Sequence, residues 1–141
     1  MGAWGKGAEM SPKTILVIDD DAAHRSLLVD VLEAEGFSVV AVADAADALV
    51  HLSAPVDLVL LDLVMPRAAM DGFTFLSKAG ENGSPTSTPV IVLSGLGESV
   101  VEALDPTTAT TLRIVSVVAK PVDLAVLLST VRTALELPHR R

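Results

Sequence analysis

Continuous apolar runs alternate along the chain with segments in which apolar residues recur every three or four positions. The runs predict five strands, over Thr14 to Ile18, Ser38 to Ala43, Val56 to Leu61, Pro89 to Leu93 and Ile114 to Ala119. The periodic segments predict a helix from Ala22 to Glu35, which Gly36 ends, and a last helix with Asp123 as its N-cap. Shorter helices are predicted over residues 45–52 and about 71–78. This alternation favours an α/β fold with a parallel sheet that helices cover on both faces.

The predicted elements divide the chain into one domain and two short ends. Residues 1–12 contain glycines and show no apolar periodicity, so we expect a flexible leader there. Residues 13–137 contain every predicted strand and helix, and residues 138–141 form a tail. This length suits a single domain.

Composition and charge exclude several classes of function. The chain has 10 Lys and Arg against 18 Asp and Glu, a net charge of −8, so we expect no nucleic-acid partner. Its apolar runs are too short for a membrane span, so we expect no membrane partner either. Cysteine is absent, which excludes disulfides and thiolate zinc sites. His24, His51 and His139 are scattered without the spacing of metal ligands, which favours surface or helix-face positions.

Charged and polar residues stand at the ends of the predicted strands. These residues are Asp19, Asp20 and Asp21 after the first strand, Asp62 after the third, Ser94 after the fourth and Lys120 after the fifth. Ligands of parallel sheets bind at the carboxyl ends of the strands, so we expect these side chains to converge. Three carboxylates of this set would be balanced by Lys120 and one Mg²⁺, a cation that prefers oxygen ligands. A carboxylate in such a site can also act as a nucleophile and form an aspartyl phosphate.

The segments around these residues resemble the receiver domain of two-component response regulators. The matching segments are ILVIDDD from Ile15, LVLLDLVMP from Leu58, MDG from Met70, VIVLSG from Val90 and VVAKP from Val117. The resemblance implies a doubly wound sheet of five parallel strands in the flavodoxin-like order 2-1-3-4-5. It also implies a cytoplasmic phosphoprotein that relays a signal and is not an enzyme, apart from catalysing its own phosphorylation and dephosphorylation.

The resemblance implies a phospho-acceptor and a magnesium site. Asp62 would accept a phosphoryl group from a histidine kinase or a histidine phosphotransfer protein. Asp19, Asp20 and Asp62 would hold Mg²⁺, with Asp20 the more direct ligand, and the backbone carbonyl of Val64 would complete the site. Asp21 falls at a variable position of the family and is left out of the metal site.

The same resemblance implies how the phosphoryl group would be recognised and sensed. Ser94 would donate a hydrogen bond to it, Lys120 would pair with it, and Pro121 would follow a cis peptide bond. The chain departs from the family in two places: residues 67–69 lengthen the loop after the acceptor by two residues, and Val117 replaces an aromatic residue that takes part in the switch. The switch is therefore expected to run through Ser94 and the loops. A homodimer through residues 114–137 is also expected.

Three alternatives remain open at this point. A receiver-like interaction module that works without phosphorylation is compatible with the longer loop and with Val117. A phosphatase of the haloacid dehalogenase class would need a second Asp two residues after the nucleophile, where this chain has Val64. An FMN-binding protein would place a phosphate beside residues 19–21, whose carboxylates would repel it.

Overall fold

The fold is described from a computed structural model, which defines residues 12–43, 56–62, 88–95 and 113–136. The strands in these ranges are β1 (Thr14–Ile18), β2 (Ser38–Val42), β3 (Leu58–Asp62), β4 (Val90–Ser94) and β5 (Ile114–Ala119). The helices are α1 (Ala22–Ala34) and α2 (Leu124–Leu135). Each of these elements agrees with its prediction to within two residues. The helices predicted over residues 45–52 and 71–78 lie outside the described residues.

The five strands form one parallel sheet in the order β2-β1-β3-β4-β5. The predicted doubly wound α/β fold with order 2-1-3-4-5 is therefore confirmed. Near the carboxyl ends, the register pairs Ile18 with Leu61, Asp62 with Leu93 and Ser94 with Ala119. This register brings the ends of β1, β3, β4 and β5 to one edge of the sheet.

Both faces of the sheet are covered. On one face, the strands pack against buried residues of α1 and α2, which are Leu28, Leu32, Leu127, Val131 and Ala134. Side chains alternate between the faces of a strand, and those on the opposite face are buried as well, namely Leu16, Ile18, Val59, Leu61, Val90 and Val92. Burial on both faces explains why the strands appear in the sequence as unbroken apolar runs. Among the described residues, no helix has the length and apolar character needed to cross a membrane.

The ends of the helices follow from specific capping residues. Asp21 is the N-cap of α1, and its carboxylate accepts the backbone N–H of His24 at 3.1 Å. Gly36, with φ +95°, follows the last turn of α1 in a conformation that glycine adopts without strain. Asp123 caps α2 by accepting the backbone N–H groups of Ala125 and Val126. The cap at Asp21 starts α1 immediately beyond β1, so its first turn lies at the carboxyl edge of the sheet.

Candidate functional site

The carboxylate of Asp62 is in contact with the ammonium group of Lys120. Nζ of Lys120 lies 2.6 Å from Oδ2 of Asp62, whose side chain is only 5% exposed. The backbone N–H of Lys120 donates to the carbonyl of Ser94 at 3.1 Å, which holds Lys120 at the end of β4. The peptide bond between Lys120 and Pro121 is cis, as predicted. A charge-assisted hydrogen bond of this length fixes the direction of both side chains. The predicted convergence of the third and fifth strand ends is thus present.

Asp19 follows β1 and is the most enclosed carboxylate of the site. The backbone N–H of Asp21 donates to its Oδ1 at 2.9 Å, and Nδ1 of His24 lies 2.5 Å from its Oδ2. Arg25 donates to its backbone carbonyl at 2.7 Å. Burial raises the pKa of Asp19, although the bonds from Asp21 and His24 act in the opposite direction, and the charge of Asp62 raises it further. A cation at this position would therefore relieve an electrostatic cost that the folded chain bears.

His24 is the third member of this cluster, and the sequence analysis did not identify it. Its Nδ1 lies 3.6 Å from Oδ2 of Asp62, and its side chain is 22% exposed. The ligand atoms of Asp19, His24 and Asp62 all lie within 4.8 Å of one another. The signal that could have found His24 is the N-cap at Asp21, which makes His24 the third residue of α1 and places it at the sheet edge.

The remaining predicted site residues occupy different environments. Ser94 ends β4 and is buried, on the strand beside Asp62. Asp20 is exposed and is not among the three residues of the close cluster, so its role as a metal ligand stays a prediction. Asp21, which was left out of the metal site, serves as a helix cap, and the backbone N–H of His24 lowers its pKa. Val64 lies outside the described residues, and so does the 67–69 insertion.

The donor atoms at this edge suit a hard divalent cation. Asp19 and Asp62 offer carboxylate oxygens, the ligand type that Mg²⁺ prefers, and one or two carboxylates are usual in magnesium sites that also bind phosphate. The buried carboxylate of Asp19, with its raised pKa, gains most from a positive neighbour. The residues present therefore fit such an ion.

Comparison with known proteins gives one consistent family. Residues 15–132 match the family described as "Response regulator receiver domain". Transcriptional regulatory protein CpxR of Klebsiella pneumoniae is 38% identical over 86 residues, which are 61% of this chain and 35% of that protein. Regulatory protein VirG of Agrobacterium tumefaciens is 33% identical over 124 residues, which are 87% of this chain and 43% of that protein. The chain spans less than half the length of these two relatives.

Solved structures agree with the sequence comparison. The crystal structure of a CheY-like response regulator receiver domain protein from Methanospirillum hungatei superposes with a TM-score of 0.69 at 26% identity. The superposition covers 89% of this chain and 95% of that one.

Proposed function

This chain belongs to the response regulator receiver domain family, and we propose that it accepts a phosphoryl group on Asp62 and relays its phosphorylation state by a conformational switch. The observation that carries the proposal is the 2.6 Å contact between Lys120 and Asp62, which fixes a carboxylate and a cation at the carboxyl edge of the sheet. The proposed donor is a phosphohistidine of a histidine kinase or of a histidine phosphotransfer protein. The proposed location is the cytoplasm.

In the proposed reaction, an oxygen of Asp62 attacks the phosphorus atom of phosphohistidine. The O–P bond forms as the P–N bond breaks, the electron pair stays on the imidazole nitrogen, and the leaving imidazole takes up a proton. The product is an aspartyl phosphate. Phosphoryl transfer depends mainly on positioning and on charge stabilisation, and the hydrogen bond from Lys120 supplies both at Asp62.

Lys120 and Ser94 have roles after the transfer as well. Once Asp62 carries the phosphoryl group, the negative charge lies on phosphoryl oxygens, and the ammonium group of Lys120 can pair with one of them. Ser94 ends β4, the strand next to β3, so its hydroxyl group can donate a hydrogen bond to a second phosphoryl oxygen. The backbone bond from Lys120 to the Ser94 carbonyl links these two residues, so a movement of one is transmitted to the other.

Mg²⁺ is the proposed cofactor. Asp19, Asp20 and Asp62, with the carbonyl of Val64, would hold it, and the buried carboxylate of Asp19 supports this assignment because a cation offsets the cost of its charge. When bound, Mg²⁺ neutralises charge on the phosphoryl oxygens.

The proposed output surface consists of residues 114–137, through which the phosphorylated chain would form a homodimer. Val126 is 51% exposed on α2 and would lie on this surface. Arg132, in contrast, pairs with Glu35 of the same chain. Sedimentation with and without a phosphoryl mimic tests the proposal, and Val126→Glu should prevent the association.

The phospho-acceptor assignment is tested by intact mass after incubation with acetyl phosphate and Mg²⁺. Wild type should gain the mass of one phosphoryl group, which alkali removes, and Asp62→Asn should not. Asp57→Asn is the matched control, because Asp57 directly precedes β3 at its other end and binds the backbone N–H of Thr14 at 2.8 Å. Equal modification of Asp62→Asn would refute the assignment. An unmodified wild type would favour an interaction module that works without phosphorylation.

A further inference from the structure

The imidazole of His24 has no part in the proposed phosphoryl transfer, yet it lies among the carboxylates of the site. Its Nδ1 is 2.5 Å from Oδ2 of Asp19 and 3.6 Å from Oδ2 of Asp62. The Asp19 side chain is fully buried, and 22% of the His24 side chain is exposed. An ion from solvent can therefore reach the cluster past the imidazole.

Two hydrogen bonds between backbone and side-chain groups hold the first turn of α1, and His24 with it, in this position. Its own N–H donates to the cap residue Asp21 at 3.1 Å, which fixes the first turn of α1. The guanidinium group of the next residue, Arg25, donates to the backbone carbonyl of Asp19 at 2.7 Å, which ties that turn to the end of β1. The imidazole is thus anchored to the same backbone segment that carries the Asp19 carboxylate.

Two carboxylates and an imidazole nitrogen form a donor set that differs from a magnesium site. Mg²⁺ prefers oxygen, whereas imidazole is a ligand of Zn²⁺ and other divalent transition ions. We propose that Nδ1 of His24, together with the carboxylates of Asp19 and Asp62, forms a site that prefers a divalent transition ion such as Zn²⁺ to Mg²⁺. The inference rests on the proposed function in one respect: the ion would occupy the pocket assigned to phosphoryl transfer and compete there with Mg²⁺.

The spacing of the three groups is close to what such an ion requires. Ligand atoms about 2.0–2.1 Å from a tetrahedral Zn²⁺ are separated by roughly 3.3 Å. The distance from His24 to Asp62 is 3.6 Å, close to that value, and the 2.5 Å contact with Asp19 would open by less than about 1 Å. In this state, the ion replaces the direct contact between His24 and Asp19.

The charges around the cluster are compatible with a divalent ion. Asp19 and Asp62 contribute two negative charges, and Lys120 at Asp62 contributes one positive charge. Arg25 adds a cation on the backbone side of Asp19. Asp20, which the proposed function places in the same pocket, adds a third negative charge. A bound ion with a neutral imidazole therefore leaves little net charge, which would not repel phosphate oxygens.

The test is NMR of the full chain, labelled with ¹⁵N, during titration with Zn²⁺ and separately with Mg²⁺. Zn²⁺ should shift the Nδ1 resonance of a single histidine by direct coordination, and by much more than Mg²⁺ does. That resonance should be absent from His24→Asn and retained in His51→Asn and His139→Asn. By calorimetry, His24→Leu should bind Zn²⁺ at least about tenfold more weakly and should still bind Mg²⁺, without a loss of that size.

The inference is overturned if Zn²⁺ shifts no ring nitrogen resonance of wild type. This measurement does not depend on the folding of any variant. Equal Zn²⁺ affinity of wild type and His24→Leu would also overturn it. No phosphodonor is present in either measurement, so a negative result leaves the phosphorylation of Asp62 with Mg²⁺ intact. Conversely, if Zn²⁺ shifts the ring nitrogen resonance of His24 but acetyl phosphate adds no phosphoryl mass, the proposed function is refuted and the metal site is not.

Discussion

Nζ of Lys120 and Oδ2 of Asp62 lie 2.6 Å apart, and this contact joins the ends of β5 and β3 across the intervening strand β4. The Asp62 side chain is 5% exposed and that of Lys120 is 21% exposed, so the pair is largely shielded from water. A hydrogen bond between charged groups contributes about 1.5–3 kcal/mol to stability. The proposed phospho-acceptor is thereby also part of what holds the carboxyl edge of the sheet together.

We expect Lys120→Met to destabilise the protein by about 1.5–3 kcal/mol, because it leaves a nearly buried carboxylate without its cation. Asp62→Asn in the same background should recover much of that loss, since the unpaired charge is then absent. Urea unfolding of wild type, both single variants and the double variant measures the coupling. Additive losses would show that the contact contributes nothing to stability.

Asp19→Asn should raise the melting temperature of the metal-free protein at neutral pH. Burial raises the pKa of Asp19 above its ordinary value of 3.8, so the folded state binds the proton more tightly than the unfolded state does. The contribution of Asp19 to the stability of wild type should therefore decrease as the pH rises from below 3.8 through the raised pKa. The gain of Asp19→Asn should be largest at neutral pH and disappear in acid.

Thermal unfolding in EDTA across this pH range provides the measurement. Asp20→Asn is the control, because Asp20 is exposed and should show a smaller gain. A loss of stability in Asp19→Asn at neutral pH would mean that the ionised carboxylate stabilises the fold through its bonds to His24 and Asp21.

The strand-end residues were predicted from the sequence, whereas the place of His24 beside them was not. Unbroken apolar runs mark buried parallel strands, so the charged residue after each run necessarily lies at the sheet edge. The place of His24 depends on where α1 begins, and the predicted start at Ala22 does not by itself show how the first turn packs against the sheet edge. Moving the cap by one residue turns the helix by about 100°, which would direct the imidazole elsewhere.

Asp21→Ala should destabilise the protein through loss of the α1 N-cap. The carboxylate of Asp21 accepts a backbone bond of the first turn, and Asp21→Ser should restore most of the loss. Asp123→Ala, at the cap of α2, is the matched control and should have a similar cost. Chemical denaturation tests the cap, and intact mass after treatment with acetyl phosphate should show undiminished modification. Lost modification in a folded Asp21→Ala would assign Asp21 to the phosphoryl site instead.

The conformational switch is expected to depend on Ser94 rather than on Val117. Val117 lies half-buried in β5 opposite Val92, and its β-branched side chain has no ring that can move between two positions. With a beryllofluoride phosphoryl mimic and Mg²⁺, Ser94→Ala should lose most of the amide NMR shifts seen in wild type. Val117→Ala should keep those shifts and lose about 1 kcal/mol of stability. The reverse pattern would contradict this account of the switch.

The most direct test of the central claim is to locate the phosphoryl group on the chain. Wild type is treated with acetyl phosphate and Mg²⁺, the acyl phosphate is reduced with borohydride, and the peptides are sequenced by mass spectrometry. Reduction converts a phosphorylated aspartate to homoserine, so the account predicts homoserine at position 62 and unmodified aspartate at positions 19, 20 and 57. Homoserine at one of those three positions, with Asp62 unchanged, would contradict it.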